Sequence, residues 1–266
     1  HLYLTLTLQD KPLFYRDVRD EIDKLSSMGF ANPDWNNNVV YDTWGMGFSI
    51  VVGSFFCCFH PLQSKTTEHI AKFMPKHLSR ESYMAKDIET AVRKWIPPDI
   101  SIPGNFSEWK RDLREQSGNF LVWPSGYFGI YERSYSLIGW NEFMLNLTSN
   151  PRIIEELLDK VTDYKVEHAK KMVELGFKIA HHGDDFGTQQ SGFFSRKMFK
   201  KFILPRLRRE WEVFNNAGLP IMLHSCGSMI DCLPDLIEGW SKVNTPANPC
   251  MDLAFLKKEF GKDLIF

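Results

Sequence analysis

From Asn150 onward the sequence alternates between helix and strand, with short turns between them, and this limits the fold more than any other feature. Asn150-Pro151 opens a long amphipathic helix. Ile154, Leu157, Leu158, Val161, Val166, Met172 and Leu175 recur at helical spacing, and Gly176 closes it. Residues 177–182 read as a short strand. Ser195 caps a helix that kinks at Pro205 and ends near Gly218. Residues 220–224 read as a second strand, 229–238 as a helix and 242–244 as a third strand. A helix over 253–260 ends at Gly261, and Leu264 opens a fourth strand. Such a series predicts βα units on a parallel sheet. No glycine-rich dinucleotide fingerprint follows any of these strands.

The predicted strand ends carry reactive side chains: Asp184-Asp185, His224-Ser225-Cys226 and Asn248-Pro249-Cys250. Polar groups gathered at the carboxyl ends of successive parallel strands are the pattern of a (β/α)8 TIM barrel's active face. His224 and Cys226 are two apart, so a strand places both on one face. Imidazole nitrogen and thiolate sulfur are preferred zinc ligands, and Gly227 lets the chain turn directly after them. The plain alternative is a core histidine beside a small buried thiol. Cys250 is a candidate third ligand and equally a buried thiol. Asp184 and Asp185 are candidate catalytic groups, able to orient a substrate, exchange a proton or brace a metal ligand. One of them can equally serve as a turn or helix-cap carboxylate. His181 and His182 point to opposite faces of a strand and cannot easily share one ion. Gln189 and Asn248 are polar groups within reach of a substrate.

The first half is less regular. Residues 14–28 have helical spacing through Val18, Ile22 and Leu25, and Asp42-Thr43-Trp44-Gly45 starts a region of strands and turns. Ser79 opens a helix expected to reach about Trp95, stopped by Pro97-Pro98. Asn105 caps a short helix bearing Trp109 and Leu113. An aromatic turn follows, with Tyr127, Phe128 and Tyr131 around Gly126 and Gly129. These rings can wall a pocket for a flat ligand or pack in the core.

In their order, these segments resemble the uroporphyrinogen decarboxylase superfamily, whose members are (β/α)8 barrels. The resemblance runs from about Gly118 to Phe266. It rests on the aromatic-glycine turn, Glu132, Asn150-Pro151, Asp184-Asp185-Phe186-Gly187-Thr188-Gln189, Pro205, His224-Ser225-Cys226-Gly227, Asn248-Pro249 and Phe260-Gly261. True decarboxylases carry a Met-Arg-Gln-Ala-Gly-Arg type motif, absent here, and lack His-x-Cys-Gly at this strand. The methyltransferase branch has His-x-Cys. It includes the methylcobamide:coenzyme M methyltransferases and the methyltransferases of O-demethylase systems. The resemblance implies that His224 and Cys226 bind Zn2+. It further implies methyl transfer between a small donor or thiol acceptor and a corrinoid (cobalamin) carried by a partner protein, since no Asp-x-His-x-x-Gly motif occurs in the chain. The alternatives are tetrapyrrole decarboxylation and a non-catalytic ligand-binding barrel.

Composition narrows the setting. Lys+Arg 32 against Asp+Glu 33 gives a net charge of -1, with no basic field for nucleic acid or anionic lipid. No run of about 18 apolar residues suggests a membrane span. Five scattered cysteines among 266 residues do not form a disulfide framework, which fits a cytoplasmic protein. The chain starts at His1 without methionine and ends within an expected strand. The expectation is therefore one barrel domain over 1–266, incomplete at its termini, with the last strand-helix unit beyond Phe266.

Overall fold

The computed structural model describes residues 22–23, 26, 31–50, 57–101, 106–124, 128–238 and 250–266. The chain packs as two units. One comprises His1–Pro98 with Ser134–Leu157, the other Asp99–Arg133 with Leu158–Phe266.

The first unit is built on an antiparallel meander, β1 (Ala31–Asp34), β2 (Val39–Asp42), β3 (Gly47–Ser49) and β4 (Cys57–Phe59), paired in that order. The turn between β2 and β3 follows from its sequence. Asp42 Oδ1 accepts hydrogen bonds from Trp44 N and Met46 N, both at 2.9 Å. Gly45 takes φ +79°, a conformation costly for any residue with a Cβ. Tyr41, Trp44, Met46 and Phe48 are buried by this pairing. Three short helices follow: α1 (Glu68–Ala71), α2 (Arg80–Tyr83) and α3 (Ile88–Lys94). The expected single helix up to Trp95 is thus two. Asp87 interrupts it by accepting from Thr90 N at 2.7 Å, which caps α3 as a new start.

The second unit contains α4 (Ser107–Gln116), and the expected cap Asn105 lies outside the described residues. Helices α5 (Ile130–Ile138), α6 (Trp140–Ser149) and α7 (Pro151–Leu175) come next in the chain. Helix α6 and the stretches of α5 and α7 within Ser134–Leu157 belong to the first unit. Helix α7 begins at the expected proline, and Gly176 ends it at φ +85°. Strands β5 (Ala180–Gly183) and β6 (Ile221–His224) pair in parallel, with Gly183 opposite His224. Between them lie α8 (Arg196–Met198), a wide π turn over Phe199–Ile203 and α9 (Leu204–Asn216). Pro205 explains the wide turn: it has no N–H, and its ring would strike the carbonyl four residues back in a regular helix. Phe199, Leu207, Trp211 and Phe214 are fully buried, with Trp211 edge-on to His182 of β5 at 6.0 Å. Helices α10 (Leu233–Ile237) and α11 (Leu253–Phe260) complete it, α10 starting later than the sequence suggests.

The fold is therefore of mixed α/β type, with the expected strand-helix-strand crossover present. A closed barrel is not formed by the described residues, and the first half contributes an antiparallel meander instead of parallel strands. The expected strand at 242–244 lies outside the described residues, as does most of the helix at 14–28. No strand forms at Leu264. Its amide bonds back to Phe260 O at 2.8 Å, finishing α11, and its side chain is buried there. Among the described residues, no helix is long and apolar enough to cross a membrane.

Candidate metal centre

The two parallel strands end side by side, and the chain after each is tied to the other. Asp184 N donates to His224 O at 2.9 Å, continuing the ladder past β5. Phe186 N donates to Ser225 Oγ at 3.0 Å, and Ser228 N to Thr188 O at 2.7 Å. These bonds use buried backbone groups that would otherwise lack partners. They also bring Asp185, on the first loop, against His224 and Cys226 on the second.

Asp185, His224 and Cys226 have ligand atoms that all lie within 4.8 Å of one another. Cys226 Sγ is 3.3 Å from His224 Nε2. His224 Nε2 is 3.7 Å from Asp185 Oδ1, which also accepts from Cys226 N at 2.6 Å. Zinc bonds of about 2.3 Å to sulfur and about 2.0–2.1 Å to nitrogen or oxygen, at tetrahedral angles, separate ligand atoms by about 3.3–3.6 Å. The donor set and its spacing fit a zinc ion with a position left open. Burial raises the Cys226 thiol to about 11, and the Asp185 carboxylate adds to the rise. A divalent cation reverses both influences by favouring the thiolate.

The expected pair His224 and Cys226 is thus brought together, and Asp185 is the third member of the group. Cys250 is half-buried and adds slightly to the rise of the Cys226 thiol, but it is outside this triad. Tyr127 and Asn248 lie outside the described residues. Phe128 sits at φ +56°, with the Arg133 guanidinium 4.8 Å over its ring. Tyr131 is fully buried, edge-on to Phe194 at 4.8 Å and beside Phe186 and Phe193. Its ring packs the core. Gln189 is exposed on the loop after β5.

Behind the triad is a buried ionic network that sequence reading did not assemble. Asp184, which has no exposed surface, accepts from Tyr131 N at 2.8 Å and Glu132 N at 2.7 Å. His182 lies 3.4 Å from Asp184 and 2.7 Å from Glu210. Burial alone would lower His182, but Glu210 and Asp184 outweigh it and raise it to about 9. Burial, reinforced by Asp184 and Asp185, pushes the Glu132 carboxyl well above its ordinary range. Burial holds the Lys165 ammonium below its usual value, against the pull of Glu210. The signal was available in part: Lys165 falls on the apolar stripe of α7 with Val161 and Ala169, and Glu210 on that of α9 with Leu207 and Phe214. Charges on an apolar stripe mark buried charges.

His168 is half-buried, set among Trp109, Phe106 and Tyr164 at ring distances of 5.0, 6.0 and 6.1 Å. Its Nδ1 is buried without a hydrogen-bond partner among the described residues. Burial, then Lys165 and Arg133, lower it from 6.5 to about 3. The folded state therefore resists a proton that the unfolded chain accepts. The stability this contributes is complete above pH 6.5 and is lost as the pH falls from there toward about 3. We expect the melting temperature to drop across that window, and His168→Leu to flatten the slope. An unchanged slope in the variant would assign the acid sensitivity to other groups.

With this geometry in place, the chain can be set beside known proteins. Residues 133–254, the segment carrying β5, β6 and the triad, match the family model of uroporphyrinogen decarboxylase (URO-D). The expected superfamily resemblance therefore holds for this segment. Among solved structures the chain is similar to a methyltransferase from Methanosarcina mazei. The two are 15% identical with a TM-score of 0.48, the match covering 75% of this chain and 52% of that one. The chain thus spans about half the length of that methyltransferase. No curated protein sequence matches it.

Proposed function

We propose that the chain is a zinc-dependent methyltransferase whose second unit belongs to a (β/α)8 barrel. It moves a methyl group between a small donor, or a thiol acceptor, and a corrinoid held by a partner protein. The observation that carries this reading is the convergence of Asp185, His224 and Cys226 at two adjacent parallel strand ends. A uroporphyrinogen decarboxylase has no need of a thiol and an imidazole 3.3 Å apart. His224, Cys226 and Asp185 would hold the metal. Bound there, zinc supplies Lewis acidity toward a donor heteroatom or an acceptor thiol.

The protein's own groups do the rest. Asp185 Oδ1, held on the Cys226 amide, keeps a negative charge beside the thiol and imidazole. Cys226 is exposed and Asp185 and His224 are half-buried, so the triad can be reached from solvent and by a docking protein. The setting read from the sequence, a cytoplasmic protein with no nucleic-acid or membrane partner, suits this chemistry.

The test is metal analysis followed by turnover. Purified chain supplied with zinc is expected to retain close to one equivalent. It should then demethylate methylcobalamin with a thiol, or methylate the corrinoid from a methyl phenyl ether, and lose both activities on chelation. Protein that takes up no zinc overturns the reading and directs attention to tetrapyrrole decarboxylation, assayed with uroporphyrinogen, or to simple ligand binding.

A further inference from the structure

We infer that Asp184 is a positioning residue: it locks the end of β5 to the start of α5 and thereby fixes Asp185 against Cys226. This deepens the proposed function by assigning different tasks to two adjacent carboxylates. It rests on contacts that do not involve a metal.

Three observations carry it. First, Asp184 has no surface from which to meet a substrate, since its exposure is 0%. Second, both of its oxygens are committed to backbone amides. Oδ2 accepts from Tyr131 N at 2.8 Å and Oδ1 from Glu132 N at 2.7 Å. These are amides of the first turn of α5, which has no intrahelical acceptor for them. Gly129, just before that helix, has no side chain with which to cap it. Asp184 does so from more than fifty positions away, and its charge suits the positive end of the helix dipole. Third, the fit is close. A Cβ added to Gly129 would lie 2.5 Å from the Asp184 carboxyl, so glycine is what admits the carboxylate. On the far side, His182 stands 3.4 Å away, itself held by Glu210 at 2.7 Å.

Asp184 is therefore clamped from both sides. The next residue inherits that placement: with Asp184 fixed inward, Asp185 leaves the strand outward, 2.6 Å from Cys226 N and 3.7 Å from His224 Nε2. Capping α5 and holding the triad are one act. A purely local cap would affect only α5, whereas a positioning role reaches Cys226, 42 residues further along the chain than Asp184.

Amide hydrogen exchange on the full chain separates the two. In Asp184→Asn, one acceptor becomes a donor facing a backbone amide. The amides of Tyr131 and Glu132 lose their carboxylate acceptor, and that of Cys226 loses the displaced Asp185, so all three are expected to exchange at least about tenfold faster than in wild type. Asp184→Ala, which removes both acceptors and introduces no new donor, provides the same readout if the asparagine variant does not fold. In either variant zinc affinity should fall about 10- to 100-fold, the range for partners that orient a ligand. Faster exchange at Tyr131 and Glu132 with Cys226 unchanged would overturn the inference and leave Asp184 a helix cap. If wild-type protein takes up no zinc, the proposed function fails, while the Cys226 amide still decides this point.

Discussion

Cys226→Ser and His224→Ala are each expected to reduce zinc binding by more than 100-fold and to abolish zinc-dependent turnover. A lost outer partner costs about 10- to 100-fold, and these variants remove direct donors. Serine keeps the volume of cysteine but not the chemistry: zinc prefers thiolate, imidazole and carboxylate, and a neutral hydroxyl replaces a charged sulfur. His224 is half-exposed, so its loss leaves no buried void and the fold should persist. Asp185→Asn should give a smaller loss, because a carboxamide oxygen still donates while the charge is gone. Cys232→Ser is the control for general thiol effects, since Cys232 is buried in the helical region after β6 and outside the triad. Elemental analysis of the four variants after dialysis gives the ranking. Full zinc retention by Cys226→Ser would detach the metal from this site. Loss in Cys232→Ser alone would place it elsewhere in the chain.

Much of this site was legible from two simple spacings. The spacing of two between His224 and Cys226 singled the pair out, although β6 ends at His224 and the turn after it, not strand alternation, brings Cys226 alongside. Helical spacing with a proline start and a glycine stop located α7 and the crossover. The third member, Asp185, was named as a candidate but not as a partner of the pair. Its approach depends on the parallel register that sets Gly183 opposite His224, and nothing local in the sequence states a register. The adjacent Asp184 illustrates the same limit. Its role is set by amides at Tyr131 and Glu132, contacts too distant in sequence for any local motif to encode. Tyr131 shows the opposite case: an aromatic beside glycines suggests a pocket wall as readily as core, and burial alone decides. The break at Asp87 shows how a cap residue inside a helical pattern can restart the helix.

Gly227→Ala should be the most damaging small substitution on the loops that carry the site, and Gly218→Ala isolates the reason. Both glycines hold positive φ, +78° at Gly227 and +68° at Gly218. Alanine in that conformation costs about 1–3 kcal/mol through backbone strain. At Gly218, the end of the loop before β6, a Cβ meets nothing within 4 Å, so strain is the whole penalty. At Gly227 the same Cβ would overlap the carbonyl of Gly187 and lie 2.8 Å from Thr188 O. Both obstacles are backbone, and neither can swing aside as a side chain can. The loops after β5 and β6 would have to part, breaking the Ser228 N to Thr188 O bond of 2.7 Å. That separation also carries Asp185 away from Cys226. Denaturant unfolding should therefore show a larger loss of stability for Gly227→Ala than for Gly218→Ala, by at least about 1 kcal/mol, the scale of one hydrogen bond. Zinc affinity should fall in the first variant and stay at the wild-type level in the second. Equal losses of stability, with affinity unchanged in both, would mean that the two loops part without moving the triad. The close backbone contact between them would then have no part in holding the metal ligands together.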